Sequence, residues 1–498
     1  MSHAANRFLL VVFDGLRPDM MSPADTPNLL RFAAIGTRFA RARSVFPSET
    51  RVCSSSVATG CLPRRHGLVA NRIAHPLDPT RSIDTGDVAA LKNLREELGA
   101  PVLEAPTMAD LLDVTGRDLA VFSSGTTGQT WLLNPDADAL GHITLSAHGP
   151  HACSAAGRAL LATLDPPPRS SAARATWIAE AFRVTLLPDP PAASILWLCE
   201  PDSTGHYGGI GSSAQRDALR QADAAFGRIL DDWQAGPHRD TLHLAVASDH
   251  GQIAITGHRD LPAALAPFPD CHLLSGSSCG LMVPGGDADR IADVAGWLTR
   301  QDWCGAVFAA DNSDLPPGVL KRSTLLVDHP RAAHVLFTLR TRFDNQPTGL
   351  SGSALGHVLP GSTLGDVLPG STLGDGQLAI GAGTHGGLTA PELHIVLMLA
   401  GAAIRQSVSE WPAGLVDIAP TALSLLGAPG AAGMDGRILT EALIDGAPPT
   451  DSPAPESWAA SGPGYAQRLA RTRLGRHIYL DEGFRQSISH PAMPSTRN

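Results

Sequence analysis

Five short apolar runs punctuate the chain: Arg7–Phe13, Leu119–Ser123, Ser194–Cys199, Leu242–Ala247 and His394–Leu399. Continuous apolar segments of this length suit strands buried on both faces, the kind found at the centre of parallel sheets covered by helices. Helical patterns lie between them. In Arg216–Trp233, for instance, Leu219, Ala222, Phe226, Leu230 and Trp233 share one face. The alternation predicts an α/β fold with a mostly parallel central sheet flanked by helices.

Open sheets of this kind gather ligands outside the carboxyl ends of their strands. Three of the runs lead there into metal-binding side chains: Asp14 after the first, Asp202-Ser-Thr-Gly-His206 after the third, and Asp249-His250-Gly251 after the fourth. His385, in Gly-Thr-His-Gly-Gly, is a further candidate. Mixed carboxylates and imidazoles suit zinc and related divalent ions. With Thr50 the residues divide into two sets, Asp202, His206 and His385 against Asp14, Thr50, Asp249 and His250. Each motif alone is common by chance; their joint occurrence at strand ends is what carries weight.

Thr50 sits in the stretch Phe46–Asn71, an extended approach with a turn at Pro47 and then a run of small residues. A short helix is expected from near Thr50, stopped by Gly60 and Pro63. The first turn of a helix has unsatisfied N–H groups that favour an anion, above all a phosphate. A hydroxyl placed there beside metal ligands reads as the nucleophile of a two-metal phosphoryl-transfer enzyme, although a helix N-cap is the commoner use of such a threonine.

The 498 residues allow a large core and more than one structural unit. A net charge of −10 argues against a nucleic-acid duplex as partner. Seven cysteines without C-x-x-C pairs suit free, mostly buried thiols and a cytoplasmic setting. No run approaches membrane-spanning length. Between 260 and 384 the rhythm changes, which predicts an inserted subdomain within a catalytic unit of residues 5–445. Near its end Val-Leu-Pro-Gly-Ser-Thr-Leu-Gly-Asp occurs twice, over 358–375, and reads as a duplicated surface loop. Residues 446–498 form a C-terminal extension expected to be helical and Arg-rich.

These motifs resemble the nucleotide pyrophosphatase/phosphodiesterase branch of the alkaline phosphatase superfamily. The resemblance rests on Phe46-Pro47-Ser48-Glu49-Thr50, Thr59-Gly60, Pro63-Arg64-Arg65-His66-Gly67, Asn71, Glu200-Pro-Asp-Ser-Thr-Gly-His206, Ser248-Asp-His-Gly251 and Gly383-Thr-His-Gly386. It implies an alkaline phosphatase-like fold with two zinc ions, other divalent ions being possible. It also implies a covalent intermediate on Thr50, Asn71 as donor to a phosphate oxygen, and an insertion that caps the site. Where nucleotide-cleaving members carry an aromatic after the nucleophile, this chain has Arg51, a candidate contact to a phosphate oxygen or an anionic leaving group. Monoester- and phosphonoacetate-cleaving members place a cation after the next strand; here Ser123–Pro135 has none. The expected substrate is therefore a small-molecule phosphodiester or pyrophosphate. A phosphomonoesterase or phosphonate hydrolase on the same scaffold, and a non-catalytic phosphate-ligand binder, are the alternatives.

Overall fold

The computed structural model describes residues 6–276, 278–312, 314–358 and 378–487. Apart from the backbone of Val358, the repeat at 358–375 lies outside them. An eight-stranded sheet runs through the molecule in the order Ser407–Gly414, Thr37–Arg43, Leu397–Ala400, Leu242–Ala247, Arg7–Phe13, Ala193–Leu198, Leu119–Ser123, Thr144–Ser146. Its strands are parallel except Leu397–Ala400, which is antiparallel to both neighbours.

The uniform hydrophobicity of the central strand follows from its two buried faces. Phe8, Leu10 and Val12 enter one core together with Val52, Cys53 and Val57; Leu9, Val11 and Phe13 enter the other. That second core is closed by the helices Ser171–Thr185 and Ser213–Ala235, the latter through the predicted stripe Leu219, Ala222, Phe226, Leu230 and Trp233. Phe226 meets Phe13 and Phe32 edge-on at 6.0 and 5.5 Å. Phe226→Ala should therefore cost about 3–5 kcal/mol of stability, read as a lower urea midpoint with an unchanged slope.

The antiparallel strand explains how His385 reaches the ligand edge. Asp14, Asp202 and Asp249 follow the carboxyl ends of parallel strands, whereas His385 precedes a strand running the other way, so its amino end lies at the same edge. Thr37–Arg43 is parallel to Leu242–Ala247 through that same intermediary, and so delivers Thr50 there too. The strand itself starts at Leu397, not His394, because a capping box at Thr389 and Glu392 folds Ala390–Leu393 into a turn of helix.

Two of the smaller sheets lie in the region of the chain between the central strands Leu242–Ala247 and Leu397–Ala400. Five strands, in the order His272–Leu274, Cys279–Met282, Val335–Leu339, Cys304–Ala309, Leu320–Lys321, share a core with the helix Ala288–Thr299. Four more, Thr341–Asn345, Ser351–Val358, Ile253–Asp260 and Gly383–Thr384, form the second sheet, so departure from the central sheet begins at Ile253.

The C-terminal segment corrects the expectation of helix. Residues Ala454–Gly462, Tyr465–Leu474 and His477–Arg485 make a three-stranded antiparallel sheet. Its middle strand buries Tyr465, Gln467 and Leu469 on alternate positions, a period of two that overrides the helical propensity of its arginines. The sheet joins both bodies. The Tyr465 hydroxyl donates to Gly305 O at 2.9 Å and the Gln467 amide to Val307 O and Gly318 O at 2.7 Å. On the other side Arg43 pairs with Asp481 at 3.0 Å, and Gly483 N donates to Leu388 O at 2.7 Å.

All seven cysteines are free, six of them buried. Among the described residues no helix is long and apolar enough to cross a membrane. His142, in a loop, is buried against Asn134.

Candidate active site

Glu49 is the extended residue before the helix Thr50–Thr59, whose ten residues are all buried. Small side chains allow this. Ser54 and Ser55 return their hydroxyls to Arg51 O, satisfying themselves inside the helix. Gly60 ends the helix with φ 62°, and a Cβ there would meet Met434 Sδ at 2.5 Å, so both conformation and space call for glycine. Beneath the helix His66 is fully buried and bonds Ser56 Oγ at 3.0 Å.

Burial, with His329 and Arg331 nearby, pushes His66 down to about 3 from its ordinary 6.5. The unfolded chain therefore binds a proton that the folded one refuses between those values. This contribution is full above about 6.5 and is lost as pH falls towards 3. Urea midpoints measured across that range should fall less steeply in His66→Gln than in the parent.

Thr50 is the first helical residue, not the cap, and its Oγ1 lies 3.1 Å from His250 Nε2. Two groups of ligands flank it. In one, His250 Nε2 is 3.5 Å from Asp14 Oδ1 and 3.2 Å from Asp249 Oδ2. In the other, Asp202 lies 3.2 Å from His206 Nε2 and 3.7 Å from His385 Nε2. The rings of His250 and His385 stack at 3.7 Å, which sets the groups side by side. Within each group the donor atoms fall within 4.8 Å of one another.

The second layer of contacts fixes the imidazoles. His206 Nδ1 faces Gly383 O and His385 Nδ1 faces Ser48 O, both at 2.8 Å, and His250 Nδ1 faces Gly251 O at 3.2 Å. With Nδ1 as donor, each Nε2 is the lone-pair nitrogen turned to the centre, as metal-binding histidines require. Burial, with His250 beside it, holds His385 down to about 3, so it is neutral near neutral pH.

Carboxylates are held likewise. Trp197 Nε1 donates to Asp14 Oδ2 at 2.8 Å; Gly15 N and His250 N donate to Asp249 Oδ1 at 3.0 Å; Gln252 Nε2 donates to Asp202 Oδ1 at 2.6 Å. Gly15 has φ 71°, and a Cβ there would stand 2.8 Å from that of Asp202.

Asp14 Oδ1 and Asp249 Oδ2 remain buried without a hydrogen bond. Burial, with neighbouring carboxylates, raises Asp14 well above its usual range. Burial likewise raises Asp249 to about 7, Asp202 adding to the rise. Crowded carboxylates and imidazoles, with two orphaned carboxylate oxygens, are what a pair of divalent cations would complete. The residues fit such a pair.

Arg51 is buried, 6% exposed, and its backbone N donates to Asn71 Oδ1 at 3.3 Å. The structure thus brings together Asp14, Thr50, Asp202, His206, Asp249, His250 and His385, and sets Asn71 against the turn that carries Thr50. Trp197, Gln252 and Glu49 escaped the sequence reading. A tryptophan, with its ring N–H, inside the strand that leads to Asp202, and a glutamine just past Asp249-His250-Gly251, were the available signals.

Sheet and site define an alkaline phosphatase-like fold, shared with solved structures of low identity. Human ectonucleotide pyrophosphatase/phosphodiesterase 5 matches with TM-score 0.59 and 17% identity, covering 88% of this chain and 100% of that one. An inactive threonine-to-alanine variant of the murine protein, in complex with AMP, matches with TM-score 0.57 and 18% identity over 85% and 96%. A model of the family described as type I phosphodiesterase / nucleotide pyrophosphatase matches residues 8–288, and the chain belongs to that family.

Curated relatives include the mouse bis(5'-adenosyl)-triphosphatase enpp4, 24% identical over 51% of this chain and 49% of that protein. Human ectonucleotide pyrophosphatase/phosphodiesterase family member 7 is 26% identical over 50% and 48%. The matches span about half the length of these relatives.

Proposed function

We propose that this chain hydrolyses small phosphodiesters or pyrophosphates through a covalent intermediate on Thr50. The observation that carries the reading is a hydroxyl at the first turn of a buried helix, 3.1 Å from a metal-type histidine, where two ligand groups meet. Asp14, Asp249 and His250 with Thr50 would hold one divalent ion, and Asp202, His206 and His385 the other; the mixed donor set suits zinc. Such a pair, when bound, favours the alkoxide of Thr50 and balances charge on phosphate oxygens.

The chain's own part is orientation. The amino end of the helix would turn its positive end towards a phosphoryl oxygen, and Asn71 adds a side-chain donor. Arg51, following the nucleophile, would contact a phosphate oxygen or an anionic leaving group. Family membership supports the reaction class. The murine relative's AMP complex and its inactivating loss of a threonine support a small nucleotide-like ligand and a threonine nucleophile. Seven unpaired cysteines support a reducing, cytoplasmic setting.

Ser123–Pro135 holds no lysine or arginine, which favours a singly charged phosphoryl group. With zinc added, a chromogenic diester should turn over at least about ten times faster than the matching monoester, a gap of about 1.4 kcal/mol in the barrier. Preference for the monoester would transfer the reading to a phosphomonoesterase. Binding without turnover of either, or of dinucleotides, would leave a phosphate-ligand binder.

A further inference from the structure

We propose that Glu49 is a positioning residue that ties the five-stranded sheet to Asn71 and thereby holds this donor in register with Thr50. The inference rests on the reading of the site just given. Glu49 is wholly buried, at 0% exposure, yet makes no capping bond to the helix it precedes. A carboxylate in such a place is costly unless its oxygens are hydrogen-bonded, and both are. Oε2 accepts the backbone N–H of Asn71; Oε1 accepts from Ser278 N at 3.1 Å and Ser278 Oγ at 3.0 Å. Ser278 immediately precedes Cys279–Met282, the second strand of the five-stranded sheet.

Asn71 is held on three sides. Its N–H goes to Glu49, its carbonyl accepts from Thr85 N and Thr85 Oγ1 at 3.0 and 2.7 Å, and its Oδ1 accepts from Arg51 N. Two of those bonds come from the residues either side of Thr50. The nucleophile turn therefore grips Asn71 by backbone and side chain at once, and with Oδ1 engaged the remaining chemistry of this amide is donation. Because the other oxygen of Glu49 holds Ser278, a displacement of the five-stranded sheet is transmitted to Asn71 through one rigid group. Specific geometry at a phosphate donor is worth large factors in rate, and little in ground-state binding.

Glu49→Gln tests this with minimal change of shape. An amide nitrogen cannot accept, so either Asn71 or Ser278 loses its acceptor. On a chromogenic diester kcat should fall about 10- to 100-fold with KM little changed. Glu49→Gln combined with Asn71→Ala should be no slower than Asn71→Ala alone, because both act through the same donor. Ser278→Ala, which removes only one bond, should lower kcat by a smaller factor and show the same lack of additivity with Asn71→Ala; it decides the matter where Glu49→Gln yields no folded protein.

Full kcat in Glu49→Gln beside an impaired Asn71→Ala would overturn the inference and leave the reading of the site intact. So would additive losses. Full kcat in Asn71→Ala would remove the donor role itself, and the inference with it.

Discussion

Thr50→Ala should lower turnover of a chromogenic diester by on the order of 10,000-fold, while the folded protein keeps its bound zinc. The size of the loss follows from where the hydroxyl sits. Its oxygen lies at the first turn of the helix, 3.1 Å from His250 Nε2, and alanine offers no substitute. Metal retention is expected because Asp14, Asp249 and His250 form a group by themselves. Metal content by emission spectroscopy and single-turnover labelling with a radioactive substrate check both halves. A variant that keeps a tenth of the parent's turnover would assign the first attack to water and remove the covalent intermediate.

Stripping metal should be equally severe. Dialysis against a chelator is expected to abolish activity, and zinc to restore it. Free metal at 100 to 1,000 times its dissociation constant should add about 3–4 kcal/mol of stability. The gain should grow with pH. In the metal-free fold Asp249 is raised to about 7 from 3.8, chiefly by burial, and Asp14 is raised with it. A raised carboxyl favours the folded state fully below about 3.8, and that contribution is lost as pH rises through about 7. Bound cations take the place of those protons, so the difference in Tm between loaded and stripped protein should widen from pH 5.5 to pH 8. A difference that stays constant would sever the link between these acids and the metal. Asp202→Asn should lower zinc stoichiometry, and an unaltered zinc content would take it off the ligand set.

Much of this site was legible because its ligands sit next to strong local signals. Runs such as Leu242–Ala247 can only be buried strands, and Asp249-His250 follows at once, so ligand edge and ligand type could be read together. Thr50 was legible for the same reason, framed by Pro47 and Gly60. What escaped depends on partners far apart in sequence. Nothing near Glu49 announces Ser278, 229 residues away, and Gln252 looks like any loop amide until Asp202 is placed beside it. The C-terminal strands were misread because arginine carries helical propensity, whereas the deciding influence is tertiary: Tyr465 and Gln467 find acceptors at Gly305 and Val307 of the five-stranded sheet.

The reversed strand Leu397–Ala400 has a consequence for how the molecule is made. It hydrogen-bonds between Thr37–Arg43 and Leu242–Ala247, and so completes the sheet by insertion between two segments synthesised long before it. During translation, Asp14, Thr50, Asp202, His206, Asp249 and His250 all emerge earlier, but His385 cannot take its place until that wedge is driven home. On the proposed reading, metal capture by the Asp202 group waits for that insertion, and a ribosome-stalled chain lacking the wedge should hold less metal than one that contains it.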